Sequence, residues 1–340
     1  MSTLLVTGGA GYIGSHTTVE LLNADYRVIV LDNLSNSSKA SIAAVQRLTN
    51  REIEFVEGDI RDDELLAHLF NANEIDGVVH FAGLKAVGES VSQPLRYYQN
   101  NVQGTLSLLQ AMEQGGCRNI VFSSSATVYG DPASVPIDES FPTSTTNPYG
   151  QSKLIVEDIL RDFHAANPAW GVSILRYFNP VGAHISGQIG EDPNGIPNNL
   201  MPYIAQVAVG KLPHLRVFGD DYNTHDGTGV RDYIHVVDLA LGHLKALEHI
   251  AGGAKLSIHN LGTGTGYSVL DTLRAFEAAC GKTLNYEIAE RRPGDVASCY
   301  ADPERAKAEL GWSAEFDIAR MCEDAWRWQS NFPDGFPPTS

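Results

Sequence analysis

Apolar and polar positions alternate in rhythm along the chain. Short apolar runs of the kind expected for strands buried on both faces fall at Leu4–Thr7, Arg27–Leu31, Glu54–Glu57, Gly77–Phe81, Asn119–Ser123 and Val172–Arg176. Stretches with helical spacing lie between them, at Ser15–Asn23, Val102–Gln114 and Gln151–Ala165. Parallel strands need crossover connections, and helices supply them. The alternation therefore predicts an α/β fold on a doubly wound parallel sheet.

After about residue 180 the texture changes. Residues 182–199 are rich in Gly, Pro, Asn and Asp and read as loop, and later elements are shorter and more mixed. This predicts a Rossmann-type domain over residues 1–180. A smaller mixed α/β lobe takes most of residues 181–340, with segments such as Tyr233–His249 returning to the first domain. The proline-rich end from Phe332 reads as frayed.

Composition adds limits. With 340 residues, 43% of them hydrophobic, the chain can bury more than one compact core. A net charge of -17 argues against nucleic acid as a partner, and an anionic substrate would need its own local cations. Cys117, Cys280, Cys299 and Cys322 form no C-x-x-C pair and no metal-ligand spacing, so the expectation is four reduced thiols and no metal. Leu4-Leu5-Val6-Thr7 runs straight into glycines with no basic region before it, and no run reaches the length of a membrane span. A soluble cytoplasmic protein is expected.

Gly8, Gly11 and Gly14 stand with G-x-x-G-x-x-G spacing between the first strand and the first helix. Such a turn lets backbone approach a pyrophosphate, which then meets the free N–H groups of the helix N-terminus. Alone the turn is weak evidence; its place at the start of a strand–helix pair strengthens it. Asp32 closes the second strand, where an acid can bond a ribose 2′-hydroxyl and repel a 2′-phosphate. No arginine follows before Arg47, which favours NAD over its phosphorylated form. Asp59 fits an adenine contact or a cap ahead of Asp62 almost equally well.

Tyr149 and Lys153 stand one helical turn apart, i and i+4, about 6 Å along the axis. A free tyrosine is a poor base near neutral pH, and a neighbouring ammonium favours its phenolate. The pair could take a proton from a substrate hydroxyl. A buried Tyr and a surface Lys would look the same in isolation; the glycine turn and Asp32 favour chemistry. The hydroxyls of Ser123–Gly130 lie at a strand end where such folds bind ligand, and spacing does not choose among them.

Longer words carry a resemblance. They are Thr7–His16, His80–Ser90, Ser123–Gly130, Leu175–Gly182, Asn198–Pro202, Asp226–His235 and Arg291–Asp295. With the glycine turn and the Tyr/Lys pair, they resemble the extended short-chain dehydrogenase/reductase family through to about Trp328. The resemblance implies an isomerase, reversibly inverting C4 of UDP-glucose and UDP-galactose through a 4-keto intermediate with tightly bound NAD. Tyr149 would exchange the 4′-hydroxyl proton while C4 gives and regains hydride, Lys153 would lower the tyrosine pKa and hold the nicotinamide ribose, and Ser125 would hold the 4′ oxygen. A homodimer is also implied.

Matching positions imply the contacts. For NAD these are Gly8, Gly11, Tyr12, Ile13, Gly14, Asp32, Asn33, Leu34, Ser35, Asn36, Ser37, Asp59 and Ile60. Phe81, Ala82, Gly83, Leu84, Lys85, Asn100, Ser125, Tyr149, Lys153 and Phe178 complete that set. For the UDP-sugar they are Lys85, Ser125, Tyr149, Asn179, Asn199, Leu200, Arg216, Val217, Phe218, Arg231, Arg292, Asp295 and Cys299. Arg231 and Arg292 would be the local cations. At the place of Cys299 the family carries either a bulky tyrosine or something small. Here it is small, which implies room for a 2-N-acetyl group and turnover of UDP-GlcNAc and UDP-GalNAc as well.

Other activities fit the residues less well. A nucleotide-sugar 4,6-dehydratase needs an acid pair after the strand-end hydroxyl, where this chain has Ala126 and Thr127. A decarboxylating relative is disfavoured by the UDP-site words, and a non-catalytic NAD-binding module had no need of Tyr149, Lys153 and Ser125.

Overall fold

The computed structural model describes residues 2–337 except 252, 254 and 293. Seven parallel strands form the main sheet: β1 (Thr3–Thr7), β2 (Arg27–Asp32), β3 (Glu54–Glu57), β4 (Gly77–His80), β5 (Asn119–Ser125), β6 (Gly171–Tyr177) and, from much later in the chain, Leu256–Leu261. The first six run in the order β3-β2-β1-β4-β5-β6, and the late strand pairs with β6 at the edge. The order reverses direction between β1 and β4, which opens a crevice at the carboxyl ends of the strands.

Successive residues of a strand point to opposite faces, and both faces here are apolar. Leu4, Val6, Val28, Val30, Val79, Val121 and Leu175 pack on one side with the helices Tyr12–Asn23, Lys39–Thr49 and Val236–Ala251. Leu5, Ile29, Leu31, Val78, Ile120, Phe122 and Ile174 pack on the other with the helices Asp63–Ala72, Gly104–Gln114 and Pro148–Ala166. This double burial is why the strands read as continuous apolar runs.

The remaining strands build smaller sheets. Val230–His235 is central, flanked by Gly266–Ser268 and Ser298–Cys299 and also pairing with Asn179–Val181. Leu215–Phe218 pairs with Tyr286–Ala289. Met201, Ile204, Val217, Tyr233, Leu273, Phe276 and Met321 form the core beneath. Within the expected return segment, Tyr233–His235 belongs to this smaller sheet, and only the helix Val236–Ala251 packs against the helix Tyr12–Asn23.

Three boundaries differ from the sequence expectation. The first helix begins at Tyr12, directly after the glycines. The stretch before Gly104 is a π-helix, Tyr98–Gln103. The end is not frayed as far as Pro337. Trp328, Phe332 and Phe336 stack together, and the Phe336 N–H donates to Asp192 at 2.9 Å. Aromatic burial holds a tail whose prolines suggested a loose one; residues 338–340 lie outside the described residues.

Candidate active site

The glycine turn sits at the crevice. Gly8 has φ +72°, and a Cβ there would stand 2.7 Å from the backbone nitrogen of Ala82. At Gly14 a Cβ would stand 2.3 Å from the Gly8 carbonyl oxygen. Gly11, the N-cap, offers no side-chain bond, and the first turn carries no acid. The uncapped N–H groups and the helix dipole there suit an anion.

Asp32, 8% exposed, braces this turn from β2. Its carboxylate accepts from the Ala10 N–H at 3.0 Å, the Leu34 N–H at 2.9 Å and the Ser37 hydroxyl at 2.8 Å. Leu34 is held at φ +56°, a left-handed conformation that side chains rarely adopt. Asn33 donates to Asp59 at 3.0 Å, so the β2 and β3 loops meet. Asp59 does not cap the next helix; Asp62 does. Arg61 grips both Asp59 oxygens at 2.8 Å, and this hydrogen bonding holds the carboxyl far below its ordinary pKa.

The loop after β4, carrying Phe81, Ala82, Gly83, Leu84 and Lys85, is tied down by a residue that sequence reasoning missed. Asn101, in the π-helix and 4% exposed, accepts from the Leu84 N–H at 2.8 Å and donates to the Leu84 carbonyl at 3.0 Å. It also donates to the Ser152 hydroxyl at 2.9 Å and accepts from Asn100 at 3.0 Å. The π turn was the missing signal, and nothing in the apolar period announces it.

Tyr149 and Lys153 lie in the first turns of the helix Pro148–Ala166, capped by Asn147 with Pro148 at its start. Lys153 is 5% exposed, and its Nζ donates to the Ser123 carbonyl at 2.7 Å. It stands 4.9 Å from the centre of the Phe122 ring. Burial lowers its pKa from 10.5 to about 8, with Glu157 opposing. Burial raises the Tyr149 pKa, and the Ser125 hydroxyl acts in the opposite direction. Burial dominates at Tyr149, and the ammonium is turned to a strand carbonyl. Ser125 itself accepts from the Thr127 N–H at 3.2 Å and the Thr127 hydroxyl at 3.0 Å.

Beneath them is a buried polar network that the sequence reading also missed. Glu157 accepts from Ser124 at 2.5 Å and from Arg176 at 3.0 and 2.7 Å, and Arg176 reaches the Tyr129 hydroxyl at 2.9 Å. Tyr177, on β6, bonds His243 Nε2, while His243 Nδ1 faces the Leu239 carbonyl at 2.8 Å. Glu157, Arg176, Tyr177 and His243 fall in helices and a strand whose pattern does not name their partners.

At the end of the strand Leu215–Phe218, Phe218 carries Arg292 over its ring at 3.8 Å and Arg216 at 5.2 Å. Arg231 donates to the carbonyls of Val230 and Val296, with Asp295 at 3.7 Å. Cys299 is the register partner of Arg231, so the two lie side by side. Its neighbours include the cluster of Val128, Tyr129 and Phe178, and burial pushes its thiol up to about 11, leaving it neutral. Asn199 donates to Glu191 at 3.1 Å, and so does Lys85 from the opposite side.

The doubly wound sheet, the glycine turn and the Tyr/Lys pair define a nucleotide-binding protein of the extended short-chain dehydrogenase/reductase class. The family described as GDP-mannose 4,6 dehydratase matches residues 5–325. The UDP-glucose 4-epimerase of Bacillus subtilis is 62% identical over 333 residues, 98% of each chain, and that of Haemophilus influenzae 63% over 334 residues, 98% of this chain and 99% of the other. The crystal structure of UDP-glucose 4-epimerase from Bifidobacterium longum, in complex with NAD+ and UDP, superposes with TM-score 0.96. It is 55% identical and is covered over 98% of this chain and 100% of that one. The chain belongs to the UDP-glucose 4-epimerase family.

Proposed function

We propose that this protein is a UDP-glucose 4-epimerase, an NAD-dependent isomerase that interconverts UDP-glucose and UDP-galactose. The observation that carries the reading is the juxtaposition of Tyr149, Ser125 and Lys153 at the carboxyl edge of the sheet, in a chain so similar to known epimerases over its whole length.

The residues fit NAD. The glycine turn packs backbone against backbone at the start of the first helix, which supports a pyrophosphate at its free N–H groups; Asp32 and the Asn33–Ser37 loop would hold the adenosine ribose, and Phe81–Lys85 and Phe178 the nicotinamide half. When bound, NAD supplies a reversible two-electron oxidation of sugar carbon 4. This chain's own groups then handle the proton and the geometry. Tyr149 takes the proton of the 4′-hydroxyl as the carbon is oxidised and returns it afterwards. Ser125 holds the 4′ oxygen. Lys153 keeps positive charge near the phenol, and a bound cationic ring adds to it, countering the burial that raises Tyr149. Arg231 and Arg292 provide the local cations that the acidic chain needs for a diphosphate.

Cys299 is a small neutral side chain beside Phe178 and Arg231, which supports a pocket that also admits 2-N-acetyl sugars. A dehydratase is not favoured. Thr127 spends its hydroxyl on Ser125, and Ala126 offers no acid.

Four finer readings belong to the same proposal. The large sheet's crevice is the NAD domain, and the smaller sheets form the UDP-sugar lobe. A homodimer is supported by Val87, Val91, Leu95 and Leu106, which are 44%, 64%, 75% and 42% exposed on neighbouring helices. A cytoplasmic setting is supported by four free cysteines, and among the described residues no helix is long and apolar enough to cross a membrane. The place of the reaction is galactose metabolism. Incubating the purified protein with UDP-galactose, without added NAD, should yield UDP-glucose. No product from protein shown to hold NAD would overturn the assignment.

A further inference from the structure

Tyr149, Lys153 and Glu157 follow one another at a spacing of four on the helix Pro148–Ala166. They share one face, with about 6 Å between successive Cβ atoms. That face meets the end of β5 residue by residue. Tyr149 meets the Ser125 hydroxyl, Lys153 donates to the Ser123 carbonyl at 2.7 Å, and Glu157 accepts from the Ser124 hydroxyl at 2.5 Å. Three residues of the helix thus hold three successive residues of the strand, and the third tie is made by a buried carboxylate.

Glu157 is gripped from its other sides. Arg176 on β6, 2% exposed, donates to it at 3.0 and 2.7 Å. Arg161, one turn further along the helix, donates at 2.7 Å. Arg176 also donates to the Tyr129 hydroxyl at 2.9 Å, and that hydroxyl donates to Asn260 at 2.7 Å. All these donors favour the ionised carboxylate and fix its place.

A lysine as buried as Lys153 tends to shed its proton, because burial penalises the ammonium. The groups on neighbouring elements do little to prevent this. Burial keeps His80 on β4 neutral, and it keeps Tyr177 on β6 and Tyr129 after β5 in their neutral forms. Asn101 comes uncharged from the π-helix. Glu89 and Arg96, on the helices Val87–Ser92 and Pro94–Tyr97, pair with each other at 2.6 Å, and Lys85 on the loop after β4 pairs with Glu191 at 3.1 Å. Arg176 is a cation and acts against the ammonium. Glu157 is the acid that acts in its favour.

We propose that Glu157 is a positioning residue for the proton chemistry: its buried carboxylate locks the helix of Tyr149 and Lys153 to the strand end of Ser125 and keeps the Lys153 ammonium charged. This rests on the reading that Lys153 works as an ammonium during epimerisation. Replacing the carboxylate by an amide removes one negative charge and leaves Arg176 as a buried cation without its partner, so the ammonium loses support on two counts.

The test follows UDP-galactose turnover by the NAD-loaded protein from pH 6 to 10. In Glu157→Gln, which keeps an acceptor for Ser124, the alkaline fall in kcat should move about one pH unit lower. In Glu157→Asp, which keeps the charge, it should stay in place. Arg161→Met, at a partly exposed position, removes a cation beside the carboxylate and should move the fall about half a pH unit higher. Ser124→Ala should lower kcat about tenfold at every pH, with the fall unmoved and the melting temperature near wild type. A merely structural role would lower kcat without moving the fall. An alkaline fall that stays put in Glu157→Gln, or in Arg161→Met where the Gln variant does not fold, overturns the role of Glu157. Wild-type kcat in Ser124→Ala overturns the lock between helix and strand. A wild type that holds NAD and does not convert UDP-galactose overturns the functional reading beneath both.

Discussion

Lys153 donates its ammonium proton to the carbonyl oxygen of Ser123, two residues before the serine that acts on Tyr149. The helix carrying the Tyr/Lys pair is thereby bolted to the strand end carrying Ser125. The ammonium is fixed in a buried slot, where it costs solvation and loses its proton more easily than a free lysine.

Turnover should therefore fall on the alkaline side as pH rises through about 8, because the lowered pKa makes Lys153 neutral above that value. Tyr149→Phe should cost roughly a hundred- to ten-thousand-fold in kcat on UDP-galactose. Its melting temperature and bound NAD should stay near wild type. Wild-type rate in the Phe variant would remove Tyr149 from the chemistry.

The glycine turn has no room for a methyl group. In Gly14→Ala the new Cβ would stand 2.3 Å from the Gly8 carbonyl oxygen and 2.7 Å from the Gly9 Cα, both backbone atoms that cannot rotate away. The expected loss is about 1–3 kcal/mol, with NAD lost on gel filtration. Thermal melting and the absorbance of co-purified cofactor check it.

Burial holds His16 and His80 at a pKa of about 3 and His243 at about 4, against 6.5 for a free histidine. The folded values are depressed, so the unfolded chain takes up these protons first as pH falls below 6.5. Stability is lost progressively on going down from pH 6.5 toward 4, at about 1.4 kcal/mol per pH unit for each histidine. Urea unfolding at pH 6.5, 5.5 and 4.5 should show this. His243→Gln should remove one proton's share of the slope, and an unchanged slope would show that His243 is not buried neutral.

Cys299→Tyr is expected to leave turnover of UDP-galactose within about tenfold and to reduce turnover of UDP-GalNAc far more, since lost space excludes the added acetamide. Parallel rates on both substrate pairs decide it. A wild type inactive on N-acetyl sugars would end the idea.

Much of this protein is local in origin. Strand runs buried on both faces, glycines at fixed intervals, an acid ending the second strand and a Tyr/Lys pair one turn apart are all properties of neighbouring residues, and the chain displays them without folding. That is enough to specify the sheet, the glycine turn and the Tyr/Lys pair. Asn101 and Glu157 with Arg176 are different. Each acts through partners far off in the chain, such as Leu84 and Ser124, and no periodicity encodes a partner. The burial that raises the Tyr149 pKa belongs with them, since adjacency to Lys153 does not reveal it. Desolvation is a sum over everything packed around a group, and only the tertiary structure decides that sum.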